Sequence, residues 1–172
     1  MFGGFMNAGQ LCMSTERVLV RSSEYETLLK ALRTAWGGVE KGQTRVLFNE
    51  AGTSRARALI DDALSKGAKE IFDDQNCQHD KVEHLISPTM VGPVTREMKL
   101  FTDETFAPVV AIIVVRNKDR SEQEVIDEMI RIANESDYGL TASVWGRDTS
   151  RAADVARRLE VGAVHINRPV SC

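Results

Sequence analysis

Cys12 ends the stretch Phe5-Met6-Asn7-Ala8-Gly9-Gln10-Leu11-Cys12 and is followed by Arg17 and the β-branched run Val18-Leu19-Val20. A cysteine thiolate is a strong nucleophile once its site lowers the pKa or supplies a base. A free cysteine taken alone more often behaves as a small buried hydrophobe. The neighbours of Cys12 favour chemistry. Gly9 permits a tight backbone path, and Gly9-Gln10-Leu11 sits just ahead of a strand, on a turn able to expose a thiol and present backbone N–H groups to a developing oxyanion. Cys77, His79 and His84 could supply soft and borderline metal ligands, but no fourth ligand stands at a recognisable spacing, so no metal site is expected. His165 alternates with Val164 and Ile166. It therefore points to the opposite sheet face, where it could touch a substrate or serve as a partly buried hydrogen-bonding histidine.

The elements that must position these groups belong to one domain. At 172 residues the chain can bury a single proper core and is too short for two comfortable ones. Its formal charge of −3 argues against a nucleic-acid backbone or an anionic membrane as partner. Three cysteines at irregular spacing do not suggest a secreted disulfide framework, and the reading is a reducing compartment, the cytoplasm. Met1-Phe2-Gly3-Gly4-Phe5 lacks the basic and apolar regions of a signal peptide. The longest apolar run, Val109–Val115, falls well short of the ~20 residues that span a bilayer. It reads as a strand buried on both faces of a parallel sheet.

Around that strand, helical and extended patterns alternate. Tyr25, Leu28, Leu29, Leu32 and Trp36 recur at helical spacing, with Gly37-Gly38 ending the helix. Ala56, Leu59, Ile60, Ala63 and Leu64 form the apolar face of a second helix over 50–66, closed by Gly67. Residues 68–72 are a candidate strand before a polar loop over 73–80, and 84–91 is extended, with Pro88 marking an irregularity. Ser121-x-x-Glu124 is a capping box for a helix bearing Val125, Ile126, Met129, Ile130 and Ala133. A strand over 141–145 follows. Asp148 caps a last helix carrying Ala152, Val155, Ala156 and Leu159, stopped by Gly162, and Val164-His165-Ile166 is a final strand. Strands separated by helices imply an α/β domain with a largely parallel sheet flanked by helices. Asp61-Asp62 and Arg157-Arg158 read as solvated helix faces.

Four segments together resemble the aldehyde dehydrogenase superfamily. Asn7-x-Gly9-Gln10-x-Cys12 is similar to its nucleophile loop. Asp103-Glu104-Thr105-Phe106-Ala107-Pro108-Val109 is similar to its Glu-x-Phe-Gly-Pro motif, with Ala107 in place of the usual glycine. Asn134-x-x-x-Tyr138-Gly139-Leu140-Thr141-Ala142-Ser143-Val144 and Leu159-Glu160-Val161-Gly162-Ala163-Val164-His165-Ile166-Asn167 resemble later family blocks, the second closing the catalytic sheet and reaching the substrate tunnel. The segments stand in the family's order over nearly the whole chain. Within the family, Ala163 to Asn167 and Pro88-Thr89-Met90-Val91 look closest to salicylaldehyde- and vanillin-type dehydrogenases.

The resemblance implies a reaction. Cys12 would attack an aldehyde, an aromatic one by the subfamily likeness, to give a thiohemiacetal. Hydride would leave for NAD or NADP, and water would hydrolyse the resulting thioester to the carboxylic acid. Glu104 would hydrogen-bond the nicotinamide ribose and Phe106 would pack beside the nicotinamide ring, while Asn7 and Gln10 would shape the loop. Outside that context Glu104 reads as a helix-start or solvated carboxylate, and Phe106 and Pro108 as core and turn residues. The resemblance also implies a catalytic domain truncated at both ends, spanning residues 1–172 as a single partial domain. The NAD(P)-binding Rossmann-like domain, the general-base glutamate and the oxyanion-hole amide would all be absent. Two functions follow: an oxidoreductase polypeptide impaired when isolated, or a non-catalytic remnant or interaction module. The partners expected are a small-molecule aldehyde and either a homo-oligomer or an intact family member. Esterase-like chemistry of the bare thiol is a third reading.

Overall fold

The computed structural model describes residues 2–36, 45–72 and 85–170. The polar loop over 73–80, with Cys77 and His79, lies outside the described residues, as do His84, Gly37-Gly38 and Cys172. The chain begins with a short helix α1 (Phe2–Phe5) and a 3-10 turn (Met6–Gly9), and then enters β1 (Arg17–Arg21). There follow α2 (Tyr25–Trp36), β2 (Arg45–Val46), α3 (Glu50–Ser65), β3 (Lys69–Glu70), β4 (Leu85–Ile86) and β5 (Thr89–Gly92). After a 3-10 turn (Lys99–Phe101) come β6 (Val109–Val115), α4 (Glu122–Ala133), β7 (Thr141–Val144), α5 (Thr149–Ala156) and β8 (Ala163–Ile166).

The main sheet has the order β1-β6-β5-β3, with β6 parallel to both β1 and β5 and the short β3 antiparallel at the edge. β6 is the hydrophobic run expected to be buried on both faces, and its side chains divide between two cores. Val109, Ala111, Ile113 and Val115 join one core with Ala56, Leu59, Ile60 and Ala63 of α3 and Val125 and Ile132 of α4. Val110 and Ile112 join a second core with Phe5, Val20, Met90 and Leu29, against which Leu28, Leu32 and Trp36 of α2 pack. Helices thus cover both faces, which a parallel sheet needs because its crossovers return over it. On the α2 side Trp36 stacks on Phe72 (4.8 Å between centroids) and meets Phe5 edge-on (5.6 Å), arrangements that aromatic quadrupoles favour.

The helix termini follow their sequence signals. Asn49 caps α3 by accepting from the Gly52 N–H, and Ser121 and Glu124 form the reciprocal capping box on α4. Asp148 caps α5 by accepting from the Arg151 N–H. α5 ends at Ala156, however, before Leu159 and Gly162. The amides of Arg158 and Leu159 bond three residues back, to Val155 and Ala156, and such tightening closes a helix. Asp62 is also more than a solvated carboxylate, since it pairs with Lys66 (2.7 Å) and accepts the Lys99 N–H (2.9 Å), tying α3 to the 3-10 turn before the site. Arg157 and Arg158 form surface ion pairs with Asp154 and Asp127.

β8 does not close the main sheet. Among the described residues it pairs, in parallel, with β7 alone. The reason lies at the end of α4: the Asn134 amide donates to the Arg158 carbonyl (3.0 Å) and accepts from the Glu160 N–H (3.1 Å). The turn before β8 is thereby anchored to α4 and not to the open edge of β1. Ile112, fully buried in the centre of β6, should be the costly position to hollow out. Ile112→Ala is expected to lose about 2–5 kcal/mol in urea unfolding. A smaller loss is expected for Val114→Ala, whose side chain is only partly buried.

Candidate active site

Cys12 is exposed and unbridged, on a turn between the 3-10 segment and β1. The turn is wound tightly: Asn7, Ala8 and Gly9 are all left-handed, with φ of 50°, 59° and 68°. The Gln10 N–H donates to the Asn7 carbonyl (3.1 Å), and the Asn7 side chain donates to the Gln10 carbonyl (3.3 Å). The Gln10 side-chain oxygen accepts the Phe48 N–H at 2.8 Å, fastening the turn to the segment leading into α3. Asn7 and Gln10 therefore shape the loop.

Gly9 meets the second segment directly. A Cβ built on it would lie 2.0 Å from the Ala107 carbonyl oxygen and 2.4 Å from its carbon, so only glycine fits. The contact brings the Cys12 turn against the stretch that carries Glu104 and Phe106. Glu104 follows the 3-10 turn Lys99–Phe101 and does not begin a helix; its carbonyl accepts from Arg55 of α3 at 3.0 Å. Among the described residues no hydrogen bond or ion pair engages its half-buried carboxylate. Phe106 has φ +51° and a ring 44% exposed, so it is not a core residue, whereas Pro108 is fully buried. A bulky residue in the left-handed region costs roughly 1–2 kcal/mol, so something must hold it there.

Glu16 holds it, a residue whose role the sequence did not signal beyond an acidic side chain at a strand entrance. One carboxylate oxygen accepts the Thr105 N–H (2.8 Å) and the other the Phe106 N–H (2.9 Å). Burial pushes this carboxyl above the ordinary glutamate value, the two amide donors pull it back, and the nearby Glu104 charge adds to the rise. Arg17, next in sequence, donates to the carbonyls of Ile132 (3.2 Å) and Ala133 (2.9 Å) at the end of α4 and to Phe101 (3.4 Å). Burial lowers its guanidinium from the usual arginine value, while Glu16 and Glu135 oppose that. A cation on the last carbonyls of a helix also complements its dipole. His165 sits half-buried in β8, opposite Ser143.

The arrangement presents an exposed thiol, a carboxylate unpaired among the described residues and an exposed aromatic residue on two segments locked together ahead of adjacent strands. No cluster able to hold a metal ion is found among the described residues, and the Cys77, His79 and His84 group falls outside them. No helix among the described residues is long and apolar enough to cross a membrane.

Comparison with known proteins gives one consistent result. The profile of the Aldehyde dehydrogenase family matches residues 1–171. A vanillin dehydrogenase from Pseudomonas sp. is 33% identical over 98% of this chain and 34% of its own length. The crystal structure of a salicylaldehyde dehydrogenase from Pseudomonas putida complexed with salicylaldehyde aligns with a TM-score of 0.82 at 30% identity, over 99% of this chain and 34% of that one. An NADP-dependent glyceraldehyde-3-phosphate dehydrogenase from Bacillus halodurans, complexed with NADP, aligns at 0.81 and 34% identity, over 97% of this chain and 34% of that one. The chain spans about a third of the length of the relatives it matches.

Gly9→Ala tests the contact between the two segments. It is expected to cost at least ~1–2 kcal/mol in urea unfolding from backbone strain alone, and to change the rate at which iodoacetamide alkylates Cys12. Unchanged stability and an unchanged alkylation rate would contradict the packing of Gly9 against Ala107.

Proposed function

The chain belongs to the aldehyde dehydrogenase family, and from that premise we propose that it carries the nucleophile and nicotinamide-facing residues of an NAD(P)-linked oxidation of an aldehyde to a carboxylic acid. The observation that carries this reading is the exposed Cys12 turn packed, through Gly9, against the segment bearing Glu104 and Phe106. The Cys12 thiolate attacks the carbonyl carbon, and backbone N–H groups of its turn stabilise the oxyanion of the thiohemiacetal. NAD(P), when bound, would supply the hydride acceptor for oxidation to the acyl level, and water would then release the carboxylic acid from Cys12. The residues fit such a group. The unengaged Glu104 carboxylate can accept hydrogen bonds from ribose hydroxyls, and the exposed Phe106 ring offers a flat apolar face to a nicotinamide. An aromatic aldehyde is the substrate class favoured by the likeness to vanillin and salicylaldehyde dehydrogenases.

A second reading, as an association module, is favoured by three large apolar side chains left exposed at the two ends of β7, Tyr138, Leu140 and Trp145, which a partner could cover. Its partner would be a second copy of the chain or an intact family member. Light scattering on a gel-filtered sample is expected to show a species larger than the 19.1 kDa chain. A strict monomer that ignores a full-length relative would count against it.

The catalytic reading predicts that Cys12 carries the acyl group during turnover. Incubation with NAD(P) and vanillin or salicylaldehyde is expected to build up an acyl adduct on Cys12, visible by peptide mass mapping and lost in Cys12→Ala. An activated aryl ester should acylate the same residue. Equal NAD(P)H formation by Cys12→Ala would refute the assignment.

A further inference from the structure

Glu16 is a partly buried ionisable group that the proposed chemistry does not use. Its two oxygens each accept one of two consecutive amides, Thr105 at 2.8 Å and Phe106 at 2.9 Å. Consecutive N–H groups aimed to one side form a concavity that suits an anion, and here the chain fills it with its own side chain. We propose that Glu16 is a positioning residue: its ionised carboxylate clamps the Thr105 and Phe106 amides and so fixes Phe106 in the left-handed conformation that exposes its ring to the nicotinamide. The inference rests on the cofactor-facing reading of Glu104 and Phe106 given above.

The carboxylate is mounted on rigid backbone. The Glu16 carbonyl accepts the Ala111 N–H (2.8 Å), which extends the β1–β6 ladder to the residue before β1. Arg17, beside it, is fixed to the end of α4 and to Phe101. The charge acting on Glu16 is Glu104 across the seam, Glu16 itself acts on the adjacent Arg17, and Arg55 of α3 reaches the Glu104 carbonyl.

The clamp is not explained by net stability. A carboxyl whose folded pKa is raised by burial contributes stability below its unfolded pKa, and that contribution disappears as pH rises through the folded value. At neutral pH the ionised form is therefore held against its own desolvation. What the charge supplies is geometry, because an ionised carboxylate offers both oxygens as acceptors whereas the protonated acid turns one into a donor. Below the folded pKa the clamp should open.

The test is amide NMR on the whole chain, with Glu16→Gln beside it. The glutamine keeps the shape but leaves a single acceptor oxygen and sets an NH₂ against the other amide. In the wild type the Thr105 and Phe106 resonances are expected to titrate together, with a midpoint above the ordinary glutamate value. In Glu16→Gln, hydrogen exchange at these two amides should quicken at least ~10-fold, as for an opened local hydrogen bond. Resonances of β6 and α4 should stay in place. Wild-type amides that do not titrate, or unchanged exchange at both amides in the variant, would overturn the clamp. The wild-type titration decides the matter alone if the variant does not fold. Addition of NAD(P) to the wild type judges the cofactor reading separately: perturbed Glu104 and Phe106 resonances uphold that reading and unperturbed ones overturn it.

Discussion

The contact on which the rest of the structure depends is the approach of Gly9 to the Ala107 carbonyl. It leaves no room for a side-chain carbon. The parallel pairing of β1 with β6 dictates it, with Arg17 opposite Ala111 in register. Two parallel neighbours begin at the same end of the sheet, so the segments that feed them must converge there. One carries Cys12 and the other Glu104 and Phe106. Segments nearly a hundred positions apart are thereby brought together through sheet register, and among the described residues no hydrogen bond joins Cys12 to Glu104 or Phe106.

That register is only as firm as the core beneath it. β6 divides its side chains between two apolar clusters, one under α3 and α4 and one under α2. A slip by a single residue would exchange the two sets. The site is joined to this core by Arg17, which reaches from the start of β1 to the last carbonyls of α4. The same residue satisfies a helix terminus and anchors the strand whose entrance holds Glu16. α4 starts with a strong capping box, so both of its ends are fixed, one by local sequence and one by a side chain from far away.

What could be read from the sequence was what depends on neighbours along the chain. The continuous run of β6, the capping box of α4, the Asp148 cap and the motif around Cys12 all carry local signals. What could not be read depends on partners distant in sequence. Glu16 meets Phe106 across 90 positions, and nothing beside it marks a carboxylate that will bind two amides. Asp62 looked like a solvated helix residue until Lys99 came to it. β8 was expected to close the main sheet through the family resemblance of its block, yet among the described residues it pairs with β7, and Asn134 ties the turn before it to α4. The positive φ of Phe106 was likewise hidden, since no glycine advertises it.

The distribution of strain points to the same place. Among the described residues five non-glycine positions have positive φ: Asn7, Ala8, Phe106, Asp119 and Asn167. Asparagine and aspartate tolerate that region better than other residues, and Asn167 is held by a tertiary contact, a reciprocal pair with Gly146. Ala8 and Phe106 have no such excuse. Both lie in the two segments that touch at Gly9 and Ala107, close to the charge at Glu16 that burial disfavours. Elsewhere the caps and the apolar patterning agree with the fold. Strain and a desolvated charge collected at one seam, and held there by a well-packed sheet, are what a site arranged for geometry at the expense of local stability would show.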